Sequence, residues 1–237
     1  MDLCAAILAG GLGTRLRSVV SDRPKVLAQV AGQPFLAHLL DQLYEAGVTR
    51  AVLCTGYMAG MISDEFGDRY RGISLTYSVE TSPLGTGGAL ANAAPLLSGD
   101  MLLVLNGDSY CHCPIEEFAM RQKQSKAPAG MALARVEDVG RYGAVITGSD
   151  FLVKSFTEKG GDGGPGWINA GIYLLPRTVL DVIPRGHSVS LEREIFPRIV
   201  AQGLYGYRCT GPFIDIGIPE DLVRSQTLLG DRMKGEL

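Results

Sequence analysis

The 237-residue sequence predicts an α/β fold, with helices covering both faces of a sheet that is parallel in its first half and mixed in its second. Three observations carry this. Apolar runs of strand length alternate with amphipathic stretches of helix length. The early runs are apolar throughout, as strands buried on both faces require, and after Ala127 the strands become shorter and more mixed in polarity.

In chain order, CAAILA (4–9) is the first strand and leads into a glycine-rich loop, and an amphipathic stretch over 35–46 follows. AVLCTG (51–56), a helix over 59–66, ISLTYS (73–78), a helix over 87–97 and MLLVLNGD (101–108) complete a βαβ alternation with right-handed crossovers. The second half reads as strands GMALARV, GAVIT, FLVKSFTE and INAGIYLL, helices over 178–183 and 191–202, and a last helix from 219 to about 229. GGDGGPG (160–166) reads as a loop tip beside a site and not as a domain linker. No repeat of fixed period is present, so 1–237 is expected to form a single domain.

Composition narrows the function. At 46% hydrophobic and 20% charged residues there is ample material for a core, and a net charge of −3 leaves no basic excess to draw the chain onto nucleic acid or an anionic membrane. Any anion has to be held locally. The apolar stretch 3–9 is too short to span a bilayer, lacks a basic leader and runs straight into glycines, so a cytoplasmic protein with no membrane partner is expected. Five cysteines (Cys4, Cys54, Cys111, Cys113, Cys209), several in apolar runs, read as reduced thiols packed as small hydrophobes. The CHC triplet at 111–113 has no second Cys/His pair at zinc spacing.

The informative stretch is LAGGLGTRLRSVVSDRPKVL (8–27), glycine-rich and basic directly after a strand. Such a loop suggests phosphate binding, because glycines let backbone N–H groups approach an anion closely. No lysine follows Gly13, which excludes a Walker A loop. After Gly11 and Gly13 the third position of a dinucleotide fingerprint is Leu16, and the second strand ends in CTGY without a ribose-binding carboxylate, so a dehydrogenase fits poorly. What remains is a longer loop in which Arg15 offers a planar fork to a terminal phosphate. Pro24 fixes the backbone before Lys25, a compact charge, and together the two cations suit a triphosphate.

LAGGLGTRL…RPKVL resembles the signature of the sugar-1-phosphate nucleotidyltransferases, and PLGTGGAL, NGD, EK, NAGIY, SLE and DIG follow in that family's order nearly end to end. The likeness is greatest to the short guanylyltransferases acting on D-glycero-D-manno-heptose 1-phosphate, with mannose-1-phosphate guanylyltransferases next. It implies a Rossmann-like three-layer sandwich with a mostly parallel, mixed central sheet, the nucleotide-diphospho-sugar transferase fold, with a nucleotide-binding half over about 1–126 and a sugar-binding half over about 127–237. The implied reaction joins a nucleoside triphosphate, GTP by preference, to a sugar 1-phosphate with Mg2+ and releases pyrophosphate. Such a reaction brings two anions together, so catalysis is mainly positioning and charge neutralisation. No G-x-S-x-G elbow argues for a protein nucleophile.

By resemblance Arg15, Lys25 and Asp108 are catalytic, and Leu8, Ala9, Gly10, Gly11, Gly13, Thr14, Glu80, Gly85, Thr86 and Gly88 hold the nucleotide. Gly143, Glu158, Lys159 and Asn169 then serve the sugar phosphate, and Asp108 and Asp215 ligate Mg2+, whose hard-oxygen preference carboxylates meet. The residues alone leave alternatives open. Asp108 stands at a strand's C-terminal end, where open α/β sheets place ligands, but Asn-Gly also suits a hairpin turn. Asp215 in FIDIGIP reads equally as an acid preceding a helix, Glu158-Lys159 as an exposed ion pair, and Gly171 in NAGIY as either a close approach to the sugar or a bulge glycine. Glu80 favours guanine, because a carboxylate can accept both N1–H and N2–H. SYCHC is less acidic than the same segment in many relatives and the 160–166 loop richer in glycine, which leaves the sugar open. A mannose-1-phosphate guanylyltransferase, a uridylyltransferase and a non-catalytic nucleotide-sugar-binding regulator are the alternatives. A glycosyltransferase is disfavoured by the single aspartate of NGDSY. Monomer and homodimer both stay open.

Overall fold

The computed structural model describes residues 3–157 and 163–234. Strand β1 (Cys4–Leu8) runs into the glycine loop, and a short pair, β2 (Gln29–Val30) and β3 (Gln33–Pro34), leads to helix α1 (Phe35–Glu45) and β4 (Arg50–Thr55). Helix α2 (Ala59–Phe66), β5 (Arg69–Tyr70), β6 (Ile73–Val79), α3 (Gly85–Asn92) and β7 (Met101–Asn106) complete the first half. Next come β8 (Ser109–Cys111), α4 (Ile115–Ser125), β9 (Ala129–Val136), the pair β10 (Val145–Thr147) and β11 (Val153–Phe156), and the long β12 (Gly166–Pro176). Helix α5 (Phe196–Val200), β13 (Leu204–Arg208), β14 (Phe213–Asp215) and α6 (Pro219–Lys234) end the described chain.

Eight strands form one sheet in the order β13-β9-β12-β7-β1-β4-β6-β5. The stretch β7-β1-β4-β6 is parallel, β12 runs antiparallel to both its neighbours, and β13 pairs parallel with β9. This is the mostly parallel, mixed sheet the sequence predicts. Strand alternation divides the core into two layers. Ala5, Ile7, Leu103 and Leu105 pack on one side with α1, α2 and α4, whereas Cys4, Ala6, Leu102 and Val104 pack on the other with α3 and α5. All five cysteines are free and buried in these layers. No helix among the described residues is long and apolar enough to cross a membrane.

Several elements differ from the expectation. Helix α4 was not anticipated, although Ile115, Phe118, Ala119 and Gln122 form its buried stripe; a buried glutamine at the fourth position hides the periodicity. The helix expected over 191–202 is a wide π-type turn at Leu191–Ile195 joined to the short α5, because Pro197 lacks the N–H that a regular helix entering from the turn would use. That over 178–183 is a 3-10 turn at Arg177–Val182, and α3 begins two residues earlier and ends five earlier than 87–97. GAVIT and FLVKSFTE form a separate two-stranded ribbon outside the main sheet.

Candidate active site

The glycine loop leaves β1 at the C-terminal end of the parallel strands, where its start is pinned. Ala9 N–H donates to the carbonyl of Cys54 (2.8 Å), and Gly107 N–H donates to the carbonyl of Leu8 (2.9 Å). Beyond these anchors the amides of Gly10, Gly11, Leu12 and Gly13 meet no acceptor among the described residues. Gly13 adopts a left-handed conformation (φ 58°) that starts the turn Thr14–Leu16, burying Leu16 and presenting Arg15 on the open side. Pro24 then begins a second tight turn in which Val26 and Leu27 are buried and Lys25 enters the cleft.

Lys25 Nζ lies 2.9 Å from Asp108 Oδ2 and 3.8 Å from Asp215 Oδ1. A long-range register brings the two acids together. Strand β14 pairs antiparallel with β8, setting Asp215 opposite Ser109, and Ile216 N–H donates to the carbonyl of Asp108 (3.0 Å). Burial, followed by the charge of Asp108, raises the Asp215 pKa above the usual carboxylate value, while Lys25, the Gly217 N–H at 2.6 Å and Arg15 oppose the shift.

Two cavities meet at this point. The first, of about 370 Å³, is lined by the loop from Leu8 to Arg15 and by Lys25, Glu80, Gly85 and Thr86. The second, of about 460 Å³, is lined among others by Tyr142, Gly143, Asn169, Glu192, Phe213 and Asp215. Arg15, Asn106 and Asp108 line both. The two cavities therefore adjoin at a junction carrying a guanidinium and a carboxylate.

Glu80 lies against the backbone of Gly10 and Gly56, where any side chain would meet it: a Cβ on Gly10 would stand 2.2 Å from Oε1. Oε2 accepts from Leu84 N–H (3.1 Å), and burial raises the Glu80 pKa against that hydrogen bond. Thr86 Oγ1 donates to Glu192 Oε2 (2.7 Å) and accepts from Leu191 N–H (2.8 Å). Asn169 is committed at both ends, donating to Tyr173 Oη (2.8 Å) and accepting from Gly171 N–H (2.9 Å), so it stands as a fixed polar wall.

Some of the expected residues lie away from the cavities or outside the described residues. Gly88 does not line the nucleotide-side cavity; it faces residues 187–189, and its absent Cβ lets α3 approach the carbonyl of His187, which a methyl would meet at 2.4 Å. Gly171 is a bulge glycine (φ 77°) tucked against Ser109 and Asn106 instead of the cavity, at the register shift between β12 and β9. Glu158 and Lys159 lie outside the described residues. Sequence reasoning also missed Asn106, whose buried Oδ1 has no partner among the described residues at the cavity junction. Its position two residues before Asp108 was the available signal.

A mostly parallel mixed sheet with paired cavities at its C-terminal edge is an α/β scaffold able to hold a nucleotide, and the chain belongs to the nucleotidyl transferase family, matching it over residues 4–231. It is 40% identical over 224 residues to a mannose-1-phosphate guanylyltransferase of Mycobacterium tuberculosis, with 93% of this chain and 62% of that protein covered. Against the D-glycero-alpha-D-manno-heptose 1-phosphate guanylyltransferase of Aneurinibacillus thermoaerophilus it is 38% identical over 223 residues, covering 94% and 96% of the two chains. Among solved structures it resembles HddC from Yersinia pseudotuberculosis complexed with GMP-PN, at TM-score 0.84, 35% identity, and 95% and 98% coverage.

Proposed function

We propose that this protein condenses GTP with a sugar 1-phosphate, D-glycero-D-manno-heptose 1-phosphate by preference, to give the GDP-sugar and pyrophosphate. One observation carries the reading: two cavities share Arg15, Asn106 and Asp108, and Lys25 sits beside that junction between Asp108 and Asp215. In this reading the loop amides of 10–13, Arg15 and Lys25 hold the polyphosphate. An oxygen of the sugar phosphate attacks the α-phosphorus in line as pyrophosphate departs, and the cations offset charge that would otherwise repel the attacking anion. No protein nucleophile is required. Glu80 accepts from the guanine N1–H and N2–H edge, while Gly85 and Thr86 close the nucleotide side. Gly143 and Asn169 wall the sugar side, with Glu158 and Lys159 assigned to sugar hydroxyls and phosphate by the family resemblance.

Asp108 and Asp215 fit a hard divalent cation, because two carboxylates converging on one ammonium, one of them reluctant to ionise, supply an incomplete oxygen set that substrate phosphates complete. Mg2+ held there would neutralise phosphoryl oxygens. The heptose assignment is supported by the Aneurinibacillus relative, which matches this chain over nearly its whole length. Mannose 1-phosphate is the second reading, favoured by the Mycobacterium relative. Pyrophosphate release measured over four nucleoside triphosphates and a panel of sugar 1-phosphates tests both. GTP with heptose 1-phosphate should give the highest kcat/KM; absence of turnover with every pair would favour a binding protein without catalysis.

A further inference from the structure

Glu192 has no role in the account above, yet its carboxylate ties a wall of the second cavity to Thr86 on the wall of the first. It sits on the π-type turn Leu191–Ile195, a local widening of the kind found at functional sites. Its Oε2 receives two hydrogen bonds, from Thr86 Oγ1 (2.7 Å) and Ser190 Oγ (3.0 Å). Ser190 Oγ in turn accepts from Arg193 N–H (3.2 Å), so the turn, the carboxylate and α3 are tied together. Thr86 lines the nucleotide-side cavity and Glu192 the sugar-side one. The other oxygen, Oε1, has no partner among the described residues.

A partly buried carboxylate with one oxygen doubly anchored and the other unpaired at a polar cavity is a pre-oriented acceptor, since its rotamer is already fixed before a ligand arrives. Asn169 is oriented too, through one amide N–H to Tyr173 and through its carbonyl to Gly171. Tyr173 is fully buried, and that burial, with the charge of Glu192 next in size, raises its pKa, so it stays a neutral phenol.

We propose that Glu192 is a sugar-specificity residue: Oε1 accepts a hydrogen bond from a sugar hydroxyl, and the Thr86 clamp holds that contact in register with the nucleotide side. The inference rests on the proposed sugar-1-phosphate reading and deepens it. The test uses whichever sugar 1-phosphate turns over in the panel, together with its monodeoxy analogues, on wild type, Glu192→Ala and Glu192→Gln.

The alanine variant should raise the sugar KM about ten- to a hundredfold, while KM for GTP stays within about twofold. In wild type one deoxy analogue should carry a similar penalty, and in Glu192→Ala that penalty should vanish, since hydroxyl and acceptor form a single pair. Glu192→Gln can turn its carbonyl to Thr86 and Ser190 and keep the clamp, so it should fold as wild type and recover part of the sugar affinity. Calorimetric binding of the nucleotide-sugar product should follow the same order without relying on turnover. A parallel rise of both KM values, or a deoxy penalty unchanged in the alanine variant, would overturn the inference while leaving the reaction intact. A wild-type protein inactive on every sugar 1-phosphate would overturn the reading and the inference together.

Discussion

A side chain added at Gly10 would run into Glu80, and this clash would separate fold from the proposed base specificity. In Gly10→Ala the new Cβ would stand 2.2 Å from Glu80 Oε1 and 3.1 Å from Cδ, so the carboxylate has to retreat by about 1.2 Å to reach ordinary contact at 3.4 Å. Gly10 is not held at positive φ, and the group displaced is the free end of a side chain, so the fold should survive with little change in Tm. On the proposed reading, however, Glu80 would lose the position from which it accepts from guanine. A charge-assisted hydrogen bond of this kind contributes about 1.5–3 kcal/mol, which corresponds to roughly a ten- to hundredfold loss in kcat/KM for GTP. Glu80→Gln should give a comparable loss, because its amide offers a donor where guanine also donates. The assay is pyrophosphate release with GTP and UTP on wild type and both variants. Since uracil has only one N–H on that edge, UTP turnover should change by less than about threefold. Equal losses for the two nucleotides would refute the assignment of Glu80 to the base.

Burial raises the Glu80 pKa above the ordinary 4.5, so KM for GTP should climb on acidification from a pH above that value, and Glu80→Gln should flatten the climb. For stability the sign is opposite: a raised folded-state pKa gives stability that is present below 4.5 and lost as pH rises through the folded value, so Glu80→Gln should not lower Tm at neutral pH. Two glycines should part company in melting and kinetic experiments. Gly88→Ala meets backbone at 2.4 Å and should cost about 1–3 kcal/mol, whereas Gly11→Ala has open space, should leave Tm unchanged, and should raise the nucleotide KM by crowding the polyphosphate. Asp108→Asn should cut kcat at least about a hundredfold with Tm retained, and chelation of divalent cations should abolish wild-type turnover; persistence of either activity counts against the cation site. Buried Asp221 holds Arg141 at 2.6 Å and Arg224 at 3.1 Å. Asp221→Asn should therefore lower Tm by roughly 2–8 °C and raise the sugar KM through the adjacent Tyr142–Gly143 segment, as melting curves and kinetics would record.

Legibility in the sequence followed the range of the interaction. The parallel half was readable because β1, β4 and β7 are almost uniformly apolar, while β6 alternates with Ser74 and Thr76 exposed, and the glycine loop because its residues are contiguous and their spacing excludes other phosphate loops. Gly88 and Gly171 were ambiguous for a shared reason: a glycine that admits a ligand and one that admits neighbouring protein have the same signature, and at Gly171 the structure settles on the bulge that was one of the two readings. Helix α4 was masked by a buried Gln122, whose amide is satisfied by the carbonyl of Ala127, a contact no periodicity reveals. Asn106 escaped, and Glu192, in the SLE segment, could be read only as structural or close to the sugar, because its partner Thr86 stands 106 positions away.

The carboxylate pair shows why that distinction matters for chemistry. Locally Asp215 was indistinguishable from an acid preceding a helix. Only the antiparallel pairing of β14 with β8, which sets Asp215 against Ser109, brings it to the junction beside Asp108. That pairing stands apart from the main sheet as a ribbon of two short strands and joins the end of β7 to the entry of α6. The two acids are therefore positioned by different parts of the chain, with Lys25 spanning them from a third. A site assembled this way brings like charges together only when the fold is complete, and its repulsion is relieved by the cation of Lys25. The same arrangement leaves Arg15 facing both cavities, so the cationic groups that stabilise the empty junction are those a second anion would meet on entering it.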